Sequence, residues 1–189
     1  MTRRWTVRPV AGLVVVTAVL IGCSEEPGEA LPSESADQTT PELPPLGPDD
    51  MPMPDEARTE DAAGAEAFVR YYIELINRTS TVMDAEPLRE FSDGCQGCDR
   101  LATNVESDAA AGLDYERGEI TVTTVGQPVT TAASTDLRVT VDQAEFIVLN
   151  ADGTRADGGS EPSSDVSGRV ALRWDAARTC WVMHDLTFG

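Results

Sequence analysis

The chain has 189 residues, a mass of 20.2 kDa and a formal net charge of −19, a length that holds one domain of ordinary size. All 14 basic residues are Arg. The excess of acid excludes a general nucleic-acid binder, which needs a basic footprint on phosphate, and disfavours a protein held by charge to anionic lipid.

Arg3, Arg4 and Arg8 form a positive start, and Val10 to Gly22 is an apolar run of 13 residues with Thr17 inside it. A membrane-spanning helix needs about 20, so the run reads as the core of a secretory signal peptide. It ends in Leu20-Ile21-Gly22-Cys23, which resembles the bacterial lipobox. That resemblance implies cleavage between Gly22 and Cys23, with Cys23 carrying a diacylglyceryl thioether and further fatty acylation such as palmitate. Two or three acyl chains give stable anchoring where one is marginal. Loss of the three leader Arg takes the net charge to −22. The expected location is the extracytoplasmic face of the cell membrane, with the bilayer as one partner.

Residues 24 to 58 hold eight of the twelve Pro and ten acidic residues against one Arg. Apolar periodicity is missing, so the segment cannot bury enough surface to offset its ordering entropy. Pro and like charge both extend such a chain. Residues 23–58 therefore read as a lipidated, disordered tether.

From Asp55 onward the pattern changes. Ala62 to Ile76 reads as an amphipathic helix, with Phe68, Val69, Tyr72, Ile73, Leu75 and Ile76 on one arc and Glu66, Arg70, Glu74 and Asn77 opposite. A short helix follows over Glu86 to Phe91, then a Gly-rich turn, Ser92 to Cys98. A third helix runs from about Asp99 to Ala111, stacking Leu101, Val105 and Ala109, and stops at Gly112. The second half reads as four strands: Gly118 to Val129, Asp136 to Asn150, Gly168 to Trp174 and Thr179 to Phe188. Leu137, Val139 and Val141 share one parity and Phe146 and Val148 the other, which predicts a bulge near Gln143-Ala144.

Helices followed by antiparallel strands give an α+β order. The expected architecture is N-terminal helices packed on a curved antiparallel four-stranded sheet, in three parts: signal peptide 1–22, tether 23–58 and globular domain 59–189. This order resembles the nuclear transport factor 2-like, cystatin-like cone, in which the sheet curls around the first helix. The detail also resembles an actinobacterial lipoprotein family of unknown function, domain-of-unknown-function family 6318. The matching residues are AFVRYYIELIN at Ala67 to Asn77, then Leu88 and Cys95-Gln96-Gly97-Cys98, behind a lipobox and a Pro-rich segment. An all-Arg, Ala-rich composition agrees with a GC-rich genome.

With Cys23 lipidated, three thiols remain. Export implies an oxidising compartment, and Cys95–Cys98 is the expected disulfide, with Cys180 a buried small apolar residue. Pairing of Cys180 with Cys95 or Cys98 stays open as the alternative, and the longer loop would stabilise more in the entropy model. Redox catalysis at C-x-x-C is disfavoured because the motif follows a short helix rather than a strand in a βαβ unit. Zinc held by Cys95, Cys98, Cys180 and His184 is disfavoured too. In an extended strand, Cys180 and His184 stand about 13 Å apart, while zinc ligands lie about 2.0–2.3 Å from one ion. The reading assigns no metal and no cofactor. Asn77-Arg78-Thr79 is a nominal glycosylation sequon, taken as a chance match.

Cone folds can hold a small ligand between sheet and helices, and some are isomerases or dehydratases with an Asp or His base and a Tyr. Tyr71, Tyr72, His184 and Asp185 are the residues available for that role, although Tyr72 lies on the buried arc. The expectation is a non-enzymatic surface module that binds a protein or a small ligand; the alternative is a small enzyme using the cone. A deep pocket with a buried ionisable group favours the enzyme, and a side-chain-filled cone favours the binding module.

Overall fold

The computed structural model describes residues 43–189. The leader, Cys23 and the tether as far as residue 42 lie outside the described residues.

Helix α1 (Ala62–Val82) begins where Asp61 accepts a hydrogen bond from the Gly64 N–H at 2.7 Å, a side-chain N-cap that satisfies a donor the helix cannot. Every residue of the expected apolar arc is buried. The helix runs six residues past Ile76 and ends at Met83, whose left-handed backbone (φ 54°) points its N–H at the Thr79 carbonyl. Helix α2 (Glu86–Glu90) carries Pro87 in its first turn, where a missing N–H costs nothing. Helix α3 (Gln96–Ala110) starts inside the cysteine motif, three residues before the expected start, with Cys95 as its N-cap.

Seven strands follow: β1 (Asp114–Arg117), β2 (Ile120–Val125), β3 (Val129–Thr130), β4 (Thr135–Gln143), β5 (Phe146–Leu149), β6 (Ser163–Asp175) and β7 (Cys180–Phe188). The main sheet is antiparallel and five-stranded, in the order β2-β4-β6-β7 with β3 also on β4. This corrects the four-stranded expectation. The expected strand Asp136 to Asn150 is two strands. At Ala144, whose N–H bonds the Glu119 carbonyl, the chain leaves the sheet, and β5 pairs with β1 as a separate two-stranded ribbon. The parity change at Gln143-Ala144 marks the break between β4 and β5, and the β4–β6 register also shifts between Val141 and Gln143, beside the expected bulge.

The sheet packs around α1. Phe68, Tyr72, Ile73 and Leu75 of α1 share one buried core with Leu137, Val139, Val170, Leu172 and Met183 of the strands and with Leu88 and Phe91. Outer edge groups of β7 are also satisfied: the Met183 N–H bonds the Phe91 carbonyl at 2.8 Å, and the Asp93 N–H bonds the Met183 carbonyl at 2.9 Å. The connection between α2 and α3 thus covers part of an edge that would otherwise invite strand pairing.

The folded body begins earlier than the expected 59. Met53 and Ala57 are buried, and Leu46 and Met51 pack on the same core. Arg58, itself buried, donates to the carbonyls of Pro44, Arg178 and Thr179. Apart from a single 3-10 turn at Asp55–Arg58, residues 43–58 form no regular element, so their apolar residues anchor singly between prolines and leave no periodic trace.

Candidate functional site

Cys95 and Cys98 form a disulfide, and both are buried. The Cys95 sulfur also accepts the Cys98 N–H at 3.1 Å. The bond closes the first turn of α3 and is shielded from solvent, so the motif pins a helix start. Gly97 explains the small residue inside it: a side chain there would overlap the Leu186 carbonyl oxygen of β7. Cys180 is buried in the core and is the free cysteine among the described residues, which corrects both alternative pairings. Burial pushes its thiol pKa up, with Arg178 partly opposing.

Of the four residues considered for a catalytic cone, Tyr71, Tyr72 and His184 each face a backbone carbonyl, and Asp185 stands opposite Ala171 in the sheet. The Tyr72 hydroxyl donates to the Leu88 carbonyl at 3.0 Å and the Tyr71 hydroxyl to the Met51 carbonyl at 3.1 Å; both serve the packing. His184 lies 2.7 Å through Nδ1 from the Asp93 carbonyl. It lines an open surface groove of about 380 Å³ with Asp93, Arg173, Asp175 and Arg178, where Arg178 is already paired to Asp175 at 2.8 Å. No group of three or more His, Cys, Asp or Glu among the described residues is placed to hold a metal.

Between the helices and the strands lies a half-open hollow of about 150 Å³. Ile76, Thr79 and Ser80 of α1, Leu88 of α2, and Leu101, Asn104 and Val105 of α3 form one side. Tyr115, Gly118, Ile120, Gln143 and Phe146 form the other. Gly118 has φ +87°, and a Cβ on it would crowd the Phe146 ring; that ring stands edge-on to Tyr115 at 4.8 Å. Asn77 ties α1 to the start of β2: its amide donates to the Ile120 carbonyl at 3.0 Å and accepts from the Ile120 N–H at 2.8 Å. The nominal sequon is therefore occupied by a structural contact.

Thr79 is the unusual lining residue. Its neighbours Ser80 and Thr81 turn their hydroxyls back onto the carbonyls of Ile76 and Asn77, at 3.2 and 3.1 Å. The Thr79 hydroxyl, in a residue only 1% exposed, has no hydrogen-bond partner. An unsatisfied buried hydroxyl costs about 1–3 kcal/mol. The lining carries no Asp, Glu, His, Cys or Arg. Its ionisable group, the Tyr115 phenol, is pushed away from ionisation first by burial and then by donation to Asp108. Sequence reading missed Thr79 because it extended the arc only to Ile76; Thr79 lies three residues beyond Ile76 and seven beyond Tyr72, on the same face.

No curated protein matches the chain. Among solved structures, the intermembrane space region of the chloroplast protein ARC6 is similar at 17% identity and TM-score 0.49, covering 69% of this chain and 97% of that one. A chain called Rd1NTF2_05, carrying five substitutions, is similar at 14% identity and TM-score 0.36, covering 66% of this chain and 99% of that one. The sequence pattern of the family of unknown function DUF6318 matches residues 49–187, and the chain belongs to that family.

Proposed function

We propose that this protein is a lipid-anchored extracytoplasmic binding module, attached to the membrane through acylated Cys23 and presenting its α+β body at the cell surface. The observation that carries the binding half is the state of the cone. Its centre is filled by Phe68, Tyr72, Ile73 and Leu75, and the hollow that remains has no acid–base pair on its walls. General acid–base catalysis needs a titratable group within reach of the reacting atom; that lining supports retention of a ligand over turnover. The leader and lipobox support the anchoring half, and a disulfide at Cys95–Cys98 agrees with an oxidising compartment.

The test is labelled palmitate fed to cells making the full chain or its Cys23→Ser variant, followed by protease treatment of intact cells. The reading expects label on the wild type alone, a mature mass lacking the first 22 residues, and cleavage of the body from outside. A polypeptide that keeps its leader, or that resists protease until cells are broken, overturns it.

A further inference from the structure

We infer that the sheet face turned away from α1 carries a binding site for a single phosphate-type dianion, held between Arg138 of β4 and Arg169 of β6. The site goes beyond the reading above and lies on the other side of the sheet from the hollow. Arg138 and Arg169 are direct register partners, so their side chains leave the same face with Cβ atoms about 5 Å apart. Their chain neighbours Leu137, Val139, Gly168 and Val170 are buried, whereas both arginines are exposed. Like charges set directly opposite on adjacent strands are destabilising. The chain has 33 acidic residues to neutralise 14 Arg, and Arg70, Arg78, Arg89, Arg155 and Arg178 each hold a carboxylate at 2.7–2.9 Å. Arg138 and Arg169 form no ion pair among the described residues. The fold thus leaves a like-charge pair that a bound anion would turn from repulsive to attractive.

The surroundings select the anion. On one side the next residues of the same face are Thr140 and Ser167, themselves register partners, and Thr187 stands opposite Arg169; three hydroxyls border the pair. On the other side Asp136 and Asp185 both stand opposite Ala171, with Arg173 beyond them on β6. That acidic row repels an extended polyanion, so the site takes one group. A carboxylate is satisfied by one guanidinium fork. A phosphate monoester, with three terminal oxygens and close to two charges, uses both.

The experiment uses the full chain carrying Cys23→Ser, purified with its Cys95–Cys98 bond formed, and follows the guanidinium carbon signals of Arg138 and Arg169 at constant ionic strength. Glycerol 3-phosphate, inorganic phosphate and acetate are titrated separately against sodium chloride. Both phosphates are expected to shift the two signals saturably and to bind about tenfold tighter than acetate, the worth of one further charge-assisted hydrogen bond. Arg138→Gln and Arg169→Gln should each weaken phosphate about tenfold. Arg100→Gln removes the same charge from an exposed position on α3 and should leave the affinity unchanged. Without phosphate, the Arg138→Gln protein should melt no lower than the wild type, since the facing repulsion is gone, and phosphate should raise the melting temperature of the wild type alone. Phosphatidylcholine vesicles containing phosphatidic acid separate the two sources of the group. Vesicle binding lost in Arg138→Gln assigns the phosphate to a lipid headgroup; glycerol 3-phosphate binding without vesicle binding assigns it to a soluble ester, and either result supports the site.

Absence of saturable shifts with both phosphates overturns the proposal. Acetate binding as tightly as phosphate overturns it as well, as does an equal loss of affinity in Arg100→Gln, which would make the effect one of overall charge. Failure of palmitate labelling would remove the anchoring reading and leave this result standing; failure of phosphate binding would leave the anchor untouched.

Discussion

Asn77 of α1 grips the backbone of Ile120 at both its N–H and its carbonyl, at 2.8 and 3.0 Å. A side-chain amide here plays the part of a neighbouring strand. It fixes where β2 begins relative to the helix. Asn77→Ala removes both bonds and should cost about 1–3 kcal/mol, read as a lower urea midpoint. Asn77→Asp keeps an acceptor for the N–H but sets its second oxygen against the Ile120 carbonyl. At neutral pH it should be less stable than the wild type, and equal midpoints would refute this account of the pair.

Gly97 sits where α3 presses on β7, and a Cβ there would overlap the Leu186 carbonyl oxygen. Backbone cannot swing aside as a flexible side chain can. Gly97→Ala should destabilise by about 1–3 kcal/mol despite the better helix propensity of Ala. Gly112 follows α3 with open space around its Cβ position but at φ +75°, so Gly112→Ala should lose only about 1 kcal/mol. Thermal unfolding of the two variants checks the order.

The disulfide closes a loop of very few residues, for which the chain-entropy model gives about 2 kcal/mol. The double variant Cys95→Ser with Cys98→Ala keeps an N-cap oxygen for α3 and should stay folded, with a stability lower by that amount. Cys180, buried and with its thiol pKa raised by that burial, should resist iodoacetamide in the native protein and react fully once denaturant is added. Rapid native labelling would show that the core opens there.

Some of this was legible in the sequence and some was not. The arc from Phe68 to Ile76 announced α1 because six apolar residues recur at helical spacing. Its last turn was hidden because Asn77 and Arg78 interrupt the arc and Thr79 looks polar. The alternation of Val170, Leu172 and Trp174 announced β6. The ribbon was hidden because β1 is Asp-Tyr-Glu-Arg, a charged and largely exposed stretch with no strand pattern, and only its pairing with β5 makes it a strand. The unpartnered hydroxyl of Thr79 was beyond any sequence pattern, since being unpartnered is a property of what surrounds it.

Acid should weaken the body in a defined window. Arg78 holds the Asp50 carboxyl below its usual range, and Arg89 and Arg178 do the same to Glu106 and Asp175. Groups lowered on folding add stability at pH values above their unfolded pKa, near 4. That contribution disappears as pH falls through the lower folded values. The melting temperature should therefore hold between about pH 5 and 7 and drop below about pH 4. Asp50→Asn should flatten the acid limb, and added salt should shrink the difference, because these carboxylates stand in solvent. A melting temperature that rises on acidification would contradict the sign.

Arg58 ties the Pro44 carbonyl to the turn between β6 and β7, and this has a mechanical consequence. Tension entering at Leu43 meets that clamp within one residue. It then passes into the strand pair β6 and β7, to one side of the hollow at Thr79. A body tugged from its N-terminal side would keep its inner geometry until the guanidinium let go.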